Sequence, residues 1–336
     1  MMISVIIPVY NGRHLLHRCL EALNHTLYEH WECIVVDDGS TDDSATVARQ
    51  AGARLVSTPH SGPAHARNMG ALAAQGDILF FIDADVLVQP GAVGHVAATF
   101  AAYPEAAACF GSYDDTPTAE NFLSQYRNLL HHYVHQHSRS EASTFWSGCG
   151  AVRRTVFNEL GGFAASQYPQ PSIEDIELGT RLRAAGCHIR LEKLLQVTHM
   201  KHWTARQMLK TDIFGRAIPW SRLILQGGNL PNELNLQTSQ RVSTAVTFIG
   251  LAGLLLLPLT GWWGALWLIT AVTILISLNR NFYQFLRRKR GLPFMLTAMP
   301  WHWLYFLYSG TSFLYVLLVS RYATAQLPQT PEHLNT

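Results

Sequence analysis

The first hundred residues alternate nearly unbroken apolar runs with amphipathic stretches. Residues 3–8, 33–36 and 78–82 are short and apolar. Strands of this kind are buried on both faces, as in a parallel sheet covered by helices. Between the first two runs, Leu15, Leu16, Cys19, Leu20 and Leu23 recur at spacings of one, three and four, which marks one face of a helix. A second helix opens at Thr41-Asp42-Asp43-Ser44, a strand follows over 54–57, and a third helix covers 64–75. This alternation predicts an α/β fold with a mostly parallel, doubly wound sheet and helices on both faces. A helix over 92–103 and a strand over 107–112 widen it. Beyond these, a polar, His-rich helix is expected over 121–137, glycine turns near 147–150 and 161–162, a helix over 173–185, and a strand-like run over 194–197.

The pattern changes past residue 202. Residues 203–226 interleave Met208, Leu209, Ile213, Phe214, Ile218 and Leu225 with Arg206, Lys210, Arg216 and Arg222, with Trp203 and Trp220 near the ends. Such a stretch suits a helix lying in a membrane interface. Residues 242–279 and 291–320 then contain no Asp, Glu, Lys or Arg. One helix of the first length would be about 57 Å long against a hydrocarbon core of about 30 Å, so a hairpin turning at Pro258-Leu259-Thr260-Gly261 is expected. The resulting division is an α/β domain at 1–202, an interfacial region and linker at 203–240, a transmembrane domain at 241–320 and a flexible tail at 321–336. The spans fall at about 242–258, 262–279 and 302–319, and 292–301, with Pro293 and Pro300, either lies in the interface or belongs to a span.

Charge supports this division. Residues 1–233 carry 18 Lys/Arg and 22 Asp/Glu, whereas residues 234–336 carry 7 basic residues and one acid. The basic run Arg287-Arg288-Lys289-Arg290 falls on the inner side if the N-terminal domain is cytoplasmic, as the positive-inside rule requires. No signal peptide is read before the first strand, and five cysteines without a Cys-x-x-Cys fit a reducing compartment. The expected location is an integral protein of the inner or plasma membrane with its N-terminal domain in the cytoplasm.

The chemistry sits where the apolar runs stop. The first leads into Val9-Tyr10-Asn11-Gly12, the second into Asp37-Asp38-Gly39-Ser40, and the third into Asp83-Ala84-Asp85. Open α/β sheets bind ligands at the carboxyl ends of their strands. A pair of carboxylates there can present oxygen ligands to a divalent ion that carries phosphates. Arg67, opening the third helix, can meet a phosphate through its charge and the helix N-terminal field. His131, His132, His135 and His137 offer an i, i+4 pair that could ligate zinc, but lacking a third ligand they read as a solvated helix face.

These residues resemble the family 2 glycosyltransferases of GT-A fold over residues 3–202. The resemblance rests on Val5-Ile6-Ile7-Pro8-Val9-Tyr10-Asn11, the Asp37–Asp42 cluster, Ala66-Arg67-Asn68, Gly76-Asp77, Asp83-Ala84-Asp85, Gly161-Gly162-Phe163 and Glu174-Asp175, in that order. It implies a nucleotide-sugar donor, UDP-sugar before GDP-sugar, bound by Pro8, Tyr10, Asp38, Arg67 and Asp83. It implies Mg²⁺ or Mn²⁺ held by Asp85, with Asp83 and His199 beside it, and His202 as a substitute for His199. The acidic pair would supply the catalytic base of an inverting transfer, Asp175 acting and Glu174 supporting. With the membrane segments, a lipid or polyprenyl-linked acceptor at the cytosolic membrane face is expected, and no nucleic-acid partner. The alternatives are a soluble or polysaccharide acceptor, or a non-catalytic membrane protein with a degenerate transferase domain. A nucleotidyltransferase is disfavoured, because its basic Gly-rich loop is replaced by Val9–Arg13. Arg216-Ala217-Ile218-Pro219-Trp220 only faintly matches the Gln-x-x-Arg-Trp signature of processive synthases, so processive polymerisation is not expected.

Overall fold

The computed structural model describes residues 1–227 and 236–325. The chain divides into two compact units, the first running through Met208 and the second beginning at Leu209. The first is a nine-stranded sheet sandwiched by helices, with strand order β3-β2-β1-β4-β8-β6-β9-β5 and β7 paired to β9.

Its N-terminal half follows the hydrophobic pattern. Strands β1 (Ile3–Val9), β2 (Trp31–Asp37), β3 (Arg54–Ser57) and β4 (Ile78–Ile82) run parallel, with β1 between β2 and β4. Along β1, Ile3, Val5, Ile7 and Val9 enter one core and Ile6 enters the other. The first core is capped by α1 (Arg13–Asn24) through Leu16, Cys19, Leu20 and Leu23, and by α4 (Ala92–Ala102) through Val93, Val96 and Phe100. The second is capped by α3 (Pro63–Ala73), and by α7 (Glu174–Ala184) through Leu178 and Leu182. Both faces of β1 are therefore dry, as its largely apolar sequence requires, and the one hydroxyl in it, on Ser4, is hydrogen-bonded to Glu32. Helix α2 (Ser44–Gln50) joins β2 to β3.

The other half departs from the parallel expectation. Strand β8 (Cys149–Arg153), within a stretch read as a glycine turn, inserts antiparallel between β4 and β6 (Ala106–Tyr113). The run near 194–197 is the end of a 12-residue strand, β9 (His188–His199). It pairs parallel with β6 and antiparallel with β5 (Val86–Val88) and β7 (Glu141–Ala142). The sheet is mixed because strands of two to five residues carry too little periodicity to be seen in sequence. Helix α5 (Phe122–His137) forms as expected, but not as a solvated face. His135 is buried and its Nδ1 lies 3.0 Å from the Gly111 carbonyl, and His132 Nδ1 lies 2.7 Å from that of Tyr113. Helix α6 (Arg154–Glu159) completes the unit.

Trp203, expected as an interfacial anchor, is buried in the first unit. Its backbone N–H donates to Ser124 Oγ at 2.7 Å, and Lys201 Nζ lies 4.3 Å from its ring. Past it, α8 (Ala205–Lys210), a π-helical turn (Thr211–Ala217) and α9 (Ile218–Gly227) follow.

The second unit holds α10 (Thr238–Thr260), α11 (Trp262–Leu278) and α12 (Arg280–Ala325). The hairpin turns at Gly261, where the sequence placed it. Helix α12 kinks at Gly291, whose φ of 86° breaks the helical path, and its helix then continues through 292–301 and on to Ala325. The expected tail therefore begins as helix, and its remainder, from 326 on, lies outside the described residues. Among the described residues, two helices are long and apolar enough to cross a membrane, Thr238–Thr260 and Arg280–Ser320, while α11 is a 17-residue apolar helix. Inside this unit Tyr308 donates from its phenol to the buried Asp212 carboxylate at 2.5 Å, and Asn279 Nδ2 donates to Ser243 Oγ at 3.0 Å.

Candidate active site

The carboxyl ends of β1, β2 and β4 converge with the start of α7 and the end of β9. The β1–α1 and β2–α2 loops are stitched together: Asn11 Oδ1 accepts from the Thr41 N–H at 2.8 Å, and the Asn11 N–H donates to Ser40 Oγ at 2.9 Å. Asn11 holds a left-handed conformation, φ 49°, which asparagine tolerates better than most residues.

Asp38 is buried beneath the loop that enters α3. Its Oδ1 accepts from the Ser61 N–H and its Oδ2 from the Gly62 N–H, both at 2.9 Å, and His60 Nδ1 lies 2.9 Å from Oδ2. Gly62 sits at φ 92°, and a β-carbon there would fall 2.1 Å from the Pro169 carbonyl oxygen. Thr58 Oγ1 donates to Oδ1 as well, at 3.3 Å, so the Asp38 carboxylate orders the approach to α3 through four contacts within the chain. Tyr10 is about half exposed and stacks on His60, ring centroids 3.9 Å apart and 20° from parallel. Pro8, opposite Val36 in the β1–β2 ladder, is partly buried at the same edge.

Arg67 is 4% exposed and bridges two carboxylates. Its Nη1 donates to Glu174 Oε1 at 2.9 Å and its Nη2 to Asp83 Oδ1 at 2.7 Å. Burial works against the charge, but Asp83, Glu174 and Asp175 outweigh it and hold the guanidinium above the usual arginine range. The sequence reading places Arg67 against a phosphate or the base; in this structure its guanidinium pairs with two protein carboxylates and ties the end of β4 to the start of α7.

Asp83 and Asp85 end β4, and β5 starts at once, with Val86 paired to His199. This register brings the buried His199 to Asp85, Nε2 lying 3.7 Å from Oδ2, while His202 is exposed. Burial opposes ionisation of Asp85, yet its interaction with His199, aided by Lys201, holds the carboxyl below its ordinary pKa. Asp83 offers the oxygen that Arg67 does not take. Among the described residues no three His, Cys, Asp or Glu close a metal site by themselves. A carboxylate with one imidazole, left open on the remaining sides, fits Mg²⁺ or Mn²⁺ whose other ligands are diphosphate oxygens and water.

Asp175 lies in the first turn of α7. Its Oδ2 accepts from the Ser147 N–H at 3.1 Å and Ser147 Oγ at 3.3 Å, and its Oδ1 from the Ile176 N–H at 2.8 Å. Burial, then the neighbouring Glu174 charge, push its pKa up to about 7 against these hydrogen bonds and Arg67. A carboxylate poised there suits a general base at neutral pH. Sequence reasoning missed Ser147 and its neighbour Trp146, as well as Tyr113, which stacks on His199. Their only signal was a Trp-Ser pair ahead of glycines, and nothing in it showed which loop Ser147 would reach.

This arrangement on this sheet defines the class. Residues 4–161 match the family model described as glycosyl transferase family 2. Over residues 4–161 the N-terminal unit is therefore similar in sequence to the family 2 glycosyltransferases. Over 221 residues, 61% of this chain, it is 29% identical to the pre-mycofactocin glycosyltransferase of Mycobacterium tuberculosis, 45% of whose length is matched. Over 90 residues, 25% of this chain, it is 39% identical to an uncharacterized glycosyltransferase of Haemophilus influenzae, 36% of whose length is matched. The matched stretches thus span less than half of these relatives. Among solved structures, a mannosyltransferase from Pyrobaculum calidifontis in complex with GDP-Man and Mn²⁺ superposes with a TM-score of 0.60 at 17% identity, over 93% of this chain and 86% of that one. TarS 1–349 of S. aureus in complex with UDP-GlcNAc gives a TM-score of 0.52 at 15% identity, over 96% of this chain and 92% of that one.

Proposed function

We propose that the chain is a membrane-bound inverting glycosyltransferase that moves a sugar from a nucleotide-sugar to a lipid or polyprenyl-linked acceptor at the cytosolic membrane face. The observation that carries this reading is the pairing of two unlike carboxylates at one sheet edge. Asp85, beside His199, is held ionised, whereas Asp175, at the start of α7, is held near neutrality. Groups pushed apart in this way divide into a metal ligand and a proton acceptor.

Asp85 and His199 would hold Mg²⁺ or Mn²⁺, with Asp83 toward the ribose or the ion's waters. The bound ion would neutralise charge on the departing diphosphate. Pro8, Tyr10 and Asp38 border the place for base and ribose, UDP being favoured over GDP. Arg67 keeps Asp83 and Glu174 fixed and adds positive charge behind the phosphates. Asp175, oriented by Ser147 and Ile176, takes the acceptor hydroxyl's proton as that oxygen attacks the anomeric carbon from the face opposite the leaving nucleotide. The long apolar helices of the second unit support a lipid acceptor, since they would keep the enzyme where such acceptors are concentrated.

The test is nucleotide release by detergent-purified full-length protein with Mn²⁺, over a panel of UDP- and GDP-sugars, with and without native lipid extract. Release that lipid stimulates and Asp175→Asn abolishes is the expected result. Release stimulated only by water-soluble acceptors would overturn the lipid assignment. No release from any donor would overturn the transferase reading.

A further inference from the structure

Tyr113 closes β6 opposite Val197 of β9, two residues before His199. Its ring lies flat on the His199 imidazole, centroids 4.2 Å apart and planes 13° from parallel. Two more rings pack on it: His131 of α5 at 4.4 Å, and Trp146, edge-on at 4.9 Å and 82°. Its carbonyl oxygen is also 2.7 Å from His132 Nδ1, so backbone and ring are both fixed. None of these four aromatic neighbours belongs to the Asp-x-Asp turn or the acidic pair.

An imidazole offered to an ion from the end of an edge-paired strand can rotate about its terminal torsion, which is broad and weakly determined. A rotated ring would turn Nε2 away from Asp85, and ordering it would weaken ion binding. A flat partner at stacking distance removes that freedom before the ion arrives. We propose that Tyr113 is a positioning residue, whose ring face orients His199 toward Asp85 and thereby sets the affinity of the site for its divalent ion. The inference rests on the metal–nucleotide reading above and adds a residue that touches neither the ion nor the donor in it. Outer contacts of this kind tune metal sites through the orientation of the ligand.

The test measures Mn²⁺ binding by electron paramagnetic resonance on full-length protein in detergent, with saturating UDP or GDP as probe. Nucleotide affinity without metal and the metal-free thermal midpoint are read beside it. Tyr113→Phe keeps the flat face and should bind Mn²⁺ within about twofold of wild type. Tyr113→Leu should bind about three- to tenfold more weakly, the range expected for losing one aromatic contact, with metal-free nucleotide affinity unchanged. Tyr113→Met fills similar space without a flat face and replaces the leucine variant if that one does not fold. Wild-type Mn²⁺ affinity in the leucine or methionine variant would overturn the proposal and leave the transferase reading standing. A loss in Tyr113→Phe as large as in Tyr113→Leu would overturn it too, by assigning the effect to the phenol oxygen. Wild-type protein that binds nucleotide but no Mn²⁺ would overturn the metal reading, and this proposal with it.

Discussion

The two halves of the sheet are built differently and contribute different things. In the parallel half, β3-β2-β1-β4, the first four strands of the chain lie together, and their loops knit to one another through Asn11, Ser40 and Thr41, and through Asp38 and the Ser61–Gly62 amides. Most of these bonds involve backbone N–H groups, so the result is a rigid cradle. In the mixed half, β8-β6-β9-β5, distant segments meet: His199 reaches Asp85, and Ser147 reaches Asp175. Here the contacts join side chains that can titrate or bind an ion. Shape comes from the first half and chemistry from the second, and Arg67 spans the join.

Breaking the chemistry alone should have the largest effect. Asp175→Asn should lower transfer by about 10²–10⁴-fold, the usual contribution of a positioned base, with nucleotide binding retained. In wild-type protein the rate should fall as pH drops through about 7, because the protonated Asp175 carboxyl cannot accept a proton. The sign for stability is opposite to that of an ordinary paired carboxylate. Its folded pKa lies above the unfolded value, so the group favours folding at low pH and this contribution is lost as pH rises toward 7. Asp175→Asn should therefore flatten the dependence of the thermal midpoint on pH between about 4 and 7.

Cutting the join comes next. Arg67→Leu leaves Glu174 buried without its partner and should destabilise the protein by about 3–5 kcal/mol, read as a lowered thermal midpoint in detergent. A cradle that keeps its full stability in this variant would show that the halves are independent. Gly62→Ala tests the cradle itself: a side chain at φ 92°, against the Pro169 carbonyl, should cost about 1–3 kcal/mol and weaken nucleotide binding more than metal binding. Tyr10→Ala should have the smallest effect, about 0.5–1.5 kcal/mol from the lost stack on His60, seen as a few-fold rise in donor KM.

The same division decides what could be read before the structure. Residues 3–8 and 78–82 announce their strands because burial on both faces leaves them apolar but for Ser4, whose hydroxyl is hydrogen-bonded to Glu32 and Gly76. The acidic turns announce themselves because carboxylates ending such strands are conspicuous. Strands β5, β7 and β8 are two to five residues long and hold no full period, so the antiparallel insertion was invisible. The partners of Arg67 were equally hidden. Its sequence neighbours suggest a helix start and a phosphate, while the carboxylates that hold it lie in β4 and α7. His131, His132 and His135 read as polar, yet α5 turns them onto the sheet, where carbonyl groups and aromatic rings receive them. Helix α11 follows the apolar pattern closely, whereas the kink at Gly291 had no signal in that pattern and Trp203 was drawn away from it by packing on α5.

The bridge from Arg67 to Glu174 has a consequence for how the chain matures. These two residues are 107 positions apart. A ribosome adds about 5–20 residues per second, and domains fold from the N-terminus as they emerge. The parallel strands can therefore pair while Arg67 still lacks Glu174, for roughly 5–20 seconds. During that interval Arg67, buried in the finished unit, has only Asp83 of its two carboxylate partners. The site is closed by the last helix and strand of the unit to be made, so an interrupted nascent chain would carry the cradle without catalytic competence.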